Sequence, residues 1–222
     1  MRPHLKLNHF TSWRAEDGSV EIYQGDRAPI VTLCDDNPDT LSIIISAPWL
    51  MNPAPNAPRG RLWKLWEYEV VELFISGADG HYLELEFGPW EHHLALSFSN
   101  VRSLSDDQCV LDKLEFWRSS SSNVSSESRW GVSCEVDRSL LPPPHCLNSY
   151  ALGINAFWCF DRAEDSSHSD LESQNEVMRR ERVYSCAAQL PGMTPNFHQP
   201  MHFPLWSLKG FSLDQVTGAT TQ

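Results

Sequence analysis

The sequence predicts an all-β chain folded as a β-sandwich, and three observations carry that reading. Short runs rich in β-branched and aromatic residues are punctuated by turn signals along its length. No stretch sustains apolar residues at i, i+3 and i+4 over three turns, apart from a weak pattern across Leu171–Arg182. At 222 residues the chain is long enough to bury a core without disulfide staples. Its 41% hydrophobic and 21% charged residues are ordinary globular usage, which excludes a disordered, collagen-like or coiled-coil chain.

Taken in order, Ile30–Leu33 and Leu41–Ser46 read as strands separated by Asp35-Asp36-Asn37-Pro38, a turn because Asx side chains and proline favour turn initiation. Pro53–Pro58 (PAPNAP) is a stiff connector. Val70–Ile75 and Tyr82–Phe87 form a hairpin around Gly77-Ala78-Asp79-Gly80, followed by Leu94–Phe98. Gly131–Val136 and Tyr150–Phe160 are strands on either side of Leu141-Pro142-Pro143-Pro144. Arg118–Arg129 (RSSSSNVSSESR) has too few apolar residues to repay its ordering entropy and reads as a Ser-rich loop. Asp161–Arg182 reads as a polar insertion, either a long loop or a short surface helix. Neither segment divides two self-sufficient cores, so the expected organisation is a single domain over residues 1–222.

Charge narrows the function classes. Seventeen Lys and Arg against 29 Asp and Glu leave a net charge of −12. A chain so acidic lacks the basic footprint of a nucleic-acid binder and is repelled by anionic membrane surfaces. Met1–Phe10 has no apolar core of a secretory leader, and the longest apolar run, Leu41–Ala47, is too short to span a bilayer. The six cysteines show no C-x-x-C spacing and read as free thiols in a reducing compartment, so a cytoplasmic location is expected. No sequence feature signals an oligomeric state.

The hairpin carries the chemistry. Val71, Leu73 and Ile75 alternate with Glu72 and Phe74; Leu83, Leu85 and Phe87 alternate with Tyr82, Glu84 and Glu86. Side chains in a strand point to opposite faces with period two, so pairing the aliphatic sets places Glu72 opposite Glu84 or Glu86 on the other face. Like charges across a ladder are unfavourable and call for a counter-charge, a cation, raised pKa values or solvent. Three readings fit that patch. It is the solvated outer face of a half-buried hairpin, or a site whose carboxylates accept hydrogen bonds from ligand hydroxyls beside Trp66, or an oxygen-rich site for a hard cation such as calcium. No EF-hand-like loop supports the last.

Other motifs carry less. His198 and His202 have helical metal-ligand spacing, but Pro200 between them breaks that geometry, so no metal is expected there. His92 and His93 read as surface residues at a strand start. No G-x-S-x-G and no phosphate-binding glycine loop occurs, so no cofactor is expected. Of nine tryptophans, Trp130, Trp158 and Trp206 fall in strand patterns and read as core; Trp49, Trp63, Trp66 and Trp90 flank loops and are candidates for an exposed platform.

Trp66-Glu67-Tyr68-Glu69-Val70-Val71-Glu72-Leu73-Phe74-Ile75 resembles the W-x-x-D-x-V-E-x-F-I signature of family 9 carbohydrate-binding modules. The chain also resembles a family typified by the product of a human chromosome 4 open reading frame. The shared pieces there are Gly25-Asp26-Arg27, Ile45–Pro48, Leu65–Glu72, Tyr82–Glu86 and Pro195–His198. Trp130–Leu141 is similar to the modules' G-W-x-x-E-x-x-I-P segment, and Phe197–Phe203 to their closing aromatic-x-x-P-x-x-F. The resemblance spans residues 25–210 in order.

It implies a jelly-roll-like β-sandwich in which two aromatic side chains clamp a terminal sugar. Trp66 matches the first clamp position, Glu72 the signature glutamate, and Phe197 the second clamp, where the modules carry tryptophan. Glu69 replaces the usual aspartate, and Glu86 stands where the modules carry a basic sugar-contacting residue, inverting the hydrogen-bond polarity. The resulting expectation is non-catalytic recognition of a small polyhydroxylated or carbohydrate ligand through Trp66, Glu72, Glu84, Glu86, Phe197 and His198. The carboxylates are expected to stay ionised, screened by solvent or basic neighbours. Two alternatives remain: a carboxylate-dependent glycoside hydrolase, whose two acids must sit about 5 Å apart or farther, and a protein-interaction domain whose exposed aromatics meet a partner.

Overall fold

The alternating segments pair into two sheets that bury their apolar faces against each other. The computed structural model describes residues 4–13, 20–119, 128–145, 151–163, 180–192 and 195–207. In chain order its strands are β1 (His4–Leu7), β2 (His9–Ser12), β3 (Ile22–Gln24), β4 (Ile30–Cys34), β5 (Thr40–Pro48), β6 (Gly60–Arg61), β7 (Val70–Ser76) and β8 (Tyr82–Phe87). They continue with β9 (His92–Asn100), β10 (Ser103–Asp106), β11 (Asp112–Ser119), β12 (Arg129–Asp137), β13 (Ala151–Ala163), β14 (Arg180–Cys186) and β15 (Leu205–Ser207). A five-stranded sheet runs β1-β4-β5-β12-β11. A ten-stranded sheet runs β10-β9-β8-β7-β13-β14-β2-β3, with β15 on β13 and β6 on β9. Pairing is antiparallel throughout except for β6 with β9.

The main core lies between the sheets. Leu41, Ile43 and Ile45 of β5 face Val71, Leu73 and Ile75 of β7 and Leu83 and Leu85 of β8 within one apolar cluster that includes Trp130 and Trp158. The hairpin turns as its glycines dictate. Gly80 adopts φ +85°, a conformation that favours glycine, and a Cβ on Gly77 would lie 2.2 Å from the Pro143 carbonyl oxygen. The proline run after β12 therefore packs directly on the turn.

The centre of the ten-stranded sheet is buried on both faces. A second apolar cluster covers its other side, built from Val70, Phe74, Tyr82, Leu94, Leu96, Phe98 and Phe157 with the loop residues Leu65, Leu190 and Phe203. Every residue of β7 and β8 is buried. This overturns the reading of a solvated outer face: the loops that follow β5 and β14 fold over it as a third layer.

Three further expectations are corrected. His92 is buried rather than superficial, because the Pro-rich connector folds across the start of β9 and places the Pro58 carbonyl 3.1 Å from its Nε2. Residues 161–163 and 180–182 belong to the β13–β14 ladder, not to a polar insertion: Asp161 pairs Arg182, and Ala163 pairs Arg180. The Ser-rich loop read over 118–129 is likewise shorter: Arg118, Ser119 and Arg129 belong to the β11–β12 ladder, while residues 120–127, the rest of the polar insertion and most of the helical pattern at 171–182 lie outside the described residues. β11 escaped the sequence reading because its inward residues, Leu114 and Phe116, are only partly covered. The five described cysteines are free thiols. Among the described residues no helix is long and apolar enough to cross a membrane.

Candidate functional site

The β7–β8 register sets the site. Glu72 lies opposite Glu86, and Phe74 opposite Glu84. On the flanks Glu72 neighbours Phe157 of β13, while Glu84 and Glu86 neighbour Leu96 and Leu94 of β9. Three carboxyl groups therefore stand on one face of the sheet among apolar side chains, all buried.

Their hydrogen-bonding is incomplete. Glu84 and Glu86 share a carboxyl–carboxyl hydrogen bond and the Trp66 amide approaches Glu86, among the described residues no other donor reaches Glu84 Oε2 or Glu86, and Glu72 Oε1 meets the Cys159 thiol at 3.8 Å. An ionised carboxylate without water or donors is costly, so burial drives each group toward its protonated form. Burial raises the Glu72 pKa to about 7 despite the nearby Arg182 charge. Glu84 and Glu86 are pushed well up by burial and then by the charge of Glu72. The expectation of ionised, screened carboxylates is thus corrected: the covering layer removes the solvent that would have screened them.

A cavity of about 500 Å³ opens over this face. Glu72 and Glu84 reach it, together with Leu96 and Phe98; Trp63, Trp66, Tyr184 and Phe197 supply aromatic walls, and Arg102 and His198 polar ones. Glu86 does not line it: it is 0% exposed and sits behind its neighbours.

Trp66 is presented by a short 3-10 turn, Leu65–Glu67. Lys64 enters that turn with φ +66°, and buried Leu65 anchors it. The Arg182 guanidinium ties the turn to the sheet, donating to the Trp66 and Tyr68 carbonyls at 2.7 and 2.6 Å and pairing with Asp161 at 3.1 Å. Buried Glu69 holds the opposite wall of the loop by accepting from the Leu50 and Asn52 amides, and burial raises its pKa to about 7.

Trp63 and Trp66 meet edge to face, with centroids 5.3 Å apart and planes at 77°, and stay 46% and 36% exposed. Phe197 instead stacks on Phe157 at 4.0 Å and 15°. The cavity thus holds both expected clamp residues, but the ring beside Trp66 is Trp63, while one face of Phe197 is committed to the sheet. Trp49 and Trp90 form no platform here. They hold the Arg118 guanidinium at 4.7 and 4.9 Å from their ring centroids.

His198 is fixed by Tyr82. The Tyr82 hydroxyl accepts from the Arg102 amide at 3.0 Å and forms a hydrogen bond with His198 Nδ1 at 2.7 Å. Burial, and then the Arg102 charge, lowers the His198 pKa to about 4, keeping the ring neutral. Arg102, at the β9–β10 turn with φ +57°, and Arg182 were not singled out from sequence. The alternation Val183-Tyr184-Ser185-Cys186 could have placed Arg182 on a strand facing Glu72's side; nothing local marks Arg102. Among the described residues no set of three or more His, Cys, Asp and Glu side chains converges as metal ligands.

No protein-family model and no curated protein matches the sequence. Among solved structures, the crystal structure of a proposed carbohydrate-binding protein from Bacteroides uniformis is similar, with a TM-score of 0.57 and 14% identity over 93% of this chain and 86% of that one. At that identity the likeness speaks for the fold.

Proposed function

We propose that the cavity binds a small polyhydroxylated ligand, a sugar ring in particular, without chemical turnover. The observation that carries this reading is that one cavity joins two exposed tryptophan rings, Trp63 and Trp66, with the buried Glu72 and Glu84 carboxyls. Aromatic faces cover the apolar side of a ring, and carboxyl oxygens take its hydroxyl protons. Resemblance to family 9 carbohydrate-binding modules at Trp66 and Glu72, and the fold shared with a proposed carbohydrate-binding protein, support it. Calorimetry against mono- and disaccharides is the test. Trp66→Ala is expected to weaken the best ligand about ten-fold or more, since one stacked ring contributes ~1–3 kcal/mol. Equal affinity in a folded variant, or no sugar affinity in the parent, overturns the reading.

One observation favours hydrolysis as a second reading: Glu72 and Glu84 both reach the cavity with raised pKa values, the state a general acid needs. Turnover of aryl glycosides that falls at least a hundred-fold in Glu72→Gln would establish it; no turnover leaves the binding protein.

A further inference from the structure

We propose that Glu86, sealed behind the cavity, is a positioning residue of this site. It keeps a proton, donates it in a hydrogen bond to Glu84 and accepts from the Trp66 amide, so that one neutral carboxyl fixes both the acidic and the aromatic side of the cavity. The inference rests on the sugar-binding reading above and adds to it a residue that the ligand does not touch.

Three features of the packing assign that role. The first is the contact with Glu84. Glu86 is 0% exposed, stands across the ladder from Glu72, and shares its face of β8 with Glu84 two residues away. Glu84 and Glu86 are hydrogen-bonded to one another, and two carboxyl groups can bond only through a proton. The second is where positive charge falls. The Arg102 guanidinium acts on Glu84 and that of Arg182 on Glu72, whereas the charges that chiefly act on Glu86 are those of the two other carboxyls. Of the bonded pair, Glu86 therefore holds the proton. The third is the turn that presents Trp66. Its internal bonds run from the Glu67 amide to the Lys64 carbonyl and from the Tyr68 amide to the Leu65 carbonyl, which leaves the Trp66 amide to Glu86. A protonated carboxyl offers one donor and an acceptor oxygen, and here both are matched.

The other polar groups around the cluster are engaged elsewhere. His92, on the same face of β9, has its Nε2 3.1 Å from the Pro58 carbonyl, and His198 is bonded to Tyr82 and stays neutral. The Cys159 thiol of β13 stays protonated beside Glu72. Lys64 pairs with Glu67 at 3.1 Å in the exposed turn, and Glu69 accepts from the Leu50 and Asn52 amides. Ionising Glu86 would remove the donor from Glu84 and set a charge beside it, so the arrangement is lost as pH rises through the titration of Glu86.

Calorimetry with glucose, galactose, xylose and cellobiose at about pH 6 compares the parent with Glu86→Gln and Glu86→Leu. Glutamine keeps a donor for Glu84 and an acceptor for Trp66; leucine keeps only the bulk. The expected affinity is within ~3-fold of the parent for Glu86→Gln and at least ~10-fold weaker for Glu86→Leu, the scale of one hydrogen bond to a carboxylate. Infrared spectra should show a protonated-carboxyl C=O band in the parent that is missing from Glu86→Gln, a readout that does not depend on Glu86→Leu folding. As pH rises, the affinity of the parent relative to Glu86→Gln should fall as that band fades. Full affinity in a folded Glu86→Leu, or a loss in Glu86→Gln as large as that in Glu86→Leu, would overturn the positioning role and leave the sugar site standing. A carboxyl band unchanged by Glu86→Gln would overturn the assignment of the proton. If none of the four sugars binds the parent, the sugar site and the inference fall together.

Discussion

On one face of β7 and β8, Val71, Leu73, Ile75, Leu83 and Leu85 pack against the five-stranded sheet; on the other, Glu72, Glu84 and Glu86 stand among Phe74, Tyr82 and Leu94. The same two strands build both faces, and every residue of both strands is buried. The inner face is closed by a second sheet whose side chains are apolar at each facing position. The outer face is closed by irregular segments that leave a cavity and pair the carboxyl groups incompletely. An inner face of that kind maximises stability, while an outer face with incompletely paired polar groups lowers it, a cost that the binding function proposed above would explain.

The contrast is broken most strongly by truncation. Leu85→Ala on the inner face is expected to cost about 2–5 kcal/mol in denaturant unfolding, the range for emptying a tightly packed site. Glu86→Leu on the outer face of the same strand is expected to stabilise the protein at pH 8, by about 1–3 kcal/mol, since it removes a buried carboxyl crowded against two others. A large loss from the second change would mean that Glu86 holds the layer together.

Proton linkage sharpens the difference between the faces. The folded pKa values of Glu72, Glu84 and Glu86 lie above those of an unfolded chain, so their contribution is fully present below about pH 4 and is lost as pH rises through the folded values. For Glu72, a rise from 4.5 to about 7 corresponds to about 3 kcal/mol. His198 runs the other way: its folded pKa is lowered to about 4, so its contribution is present above about pH 6.5 and lost as pH falls toward 4. Thermal melts from pH 5 to 8.5 should show the Tm advantage of Glu86→Gln over the parent growing with pH. A constant offset would show that the carboxyl is already ionised at pH 5.

A smaller effect is expected at the hydrogen-bonded chain through Tyr82, one of several that join the sheet to its covering segments. Tyr82→Phe keeps the ring stacked on Phe98 at 4.5 Å but removes the hydroxyl between the Arg102 amide and His198. The expected cost is about 1–2 kcal/mol. Nitrogen chemical shifts of His198 should show the loss of its fixed tautomer; unchanged shifts would place its restraint elsewhere. Smallest of all, Arg118→Lys should cost about 0.5–1 kcal/mol by replacing a guanidinium stacked between Trp49 and Trp90 with a compact charge.

The β7–β8 alternation was enough, by itself, to place Leu73 inward and Glu72 on one face with Glu84 and Glu86, because period two and the need to bury the aliphatic set fix the faces; that Glu86 rather than Glu84 stands opposite Glu72 was decided by the structure. The same logic located β4, β5 and β12, whose apolar residues recur at every second position. Sequence thus determined the all-β class, the hairpin and the residues that share its polar face. Only the tertiary structure decided that this face is covered, that Glu86 is sealed off while Glu84 reaches a cavity, and that Trp63 rather than Phe197 stands beside Trp66. Alternation is a property of neighbours along one strand, and the backbone enforces it locally. Coverage depends on where loops of low periodicity come to rest, through contacts such as Arg182 to the Trp66 carbonyl that join residues 116 apart in the chain, and a strand's own pattern carries no record of them.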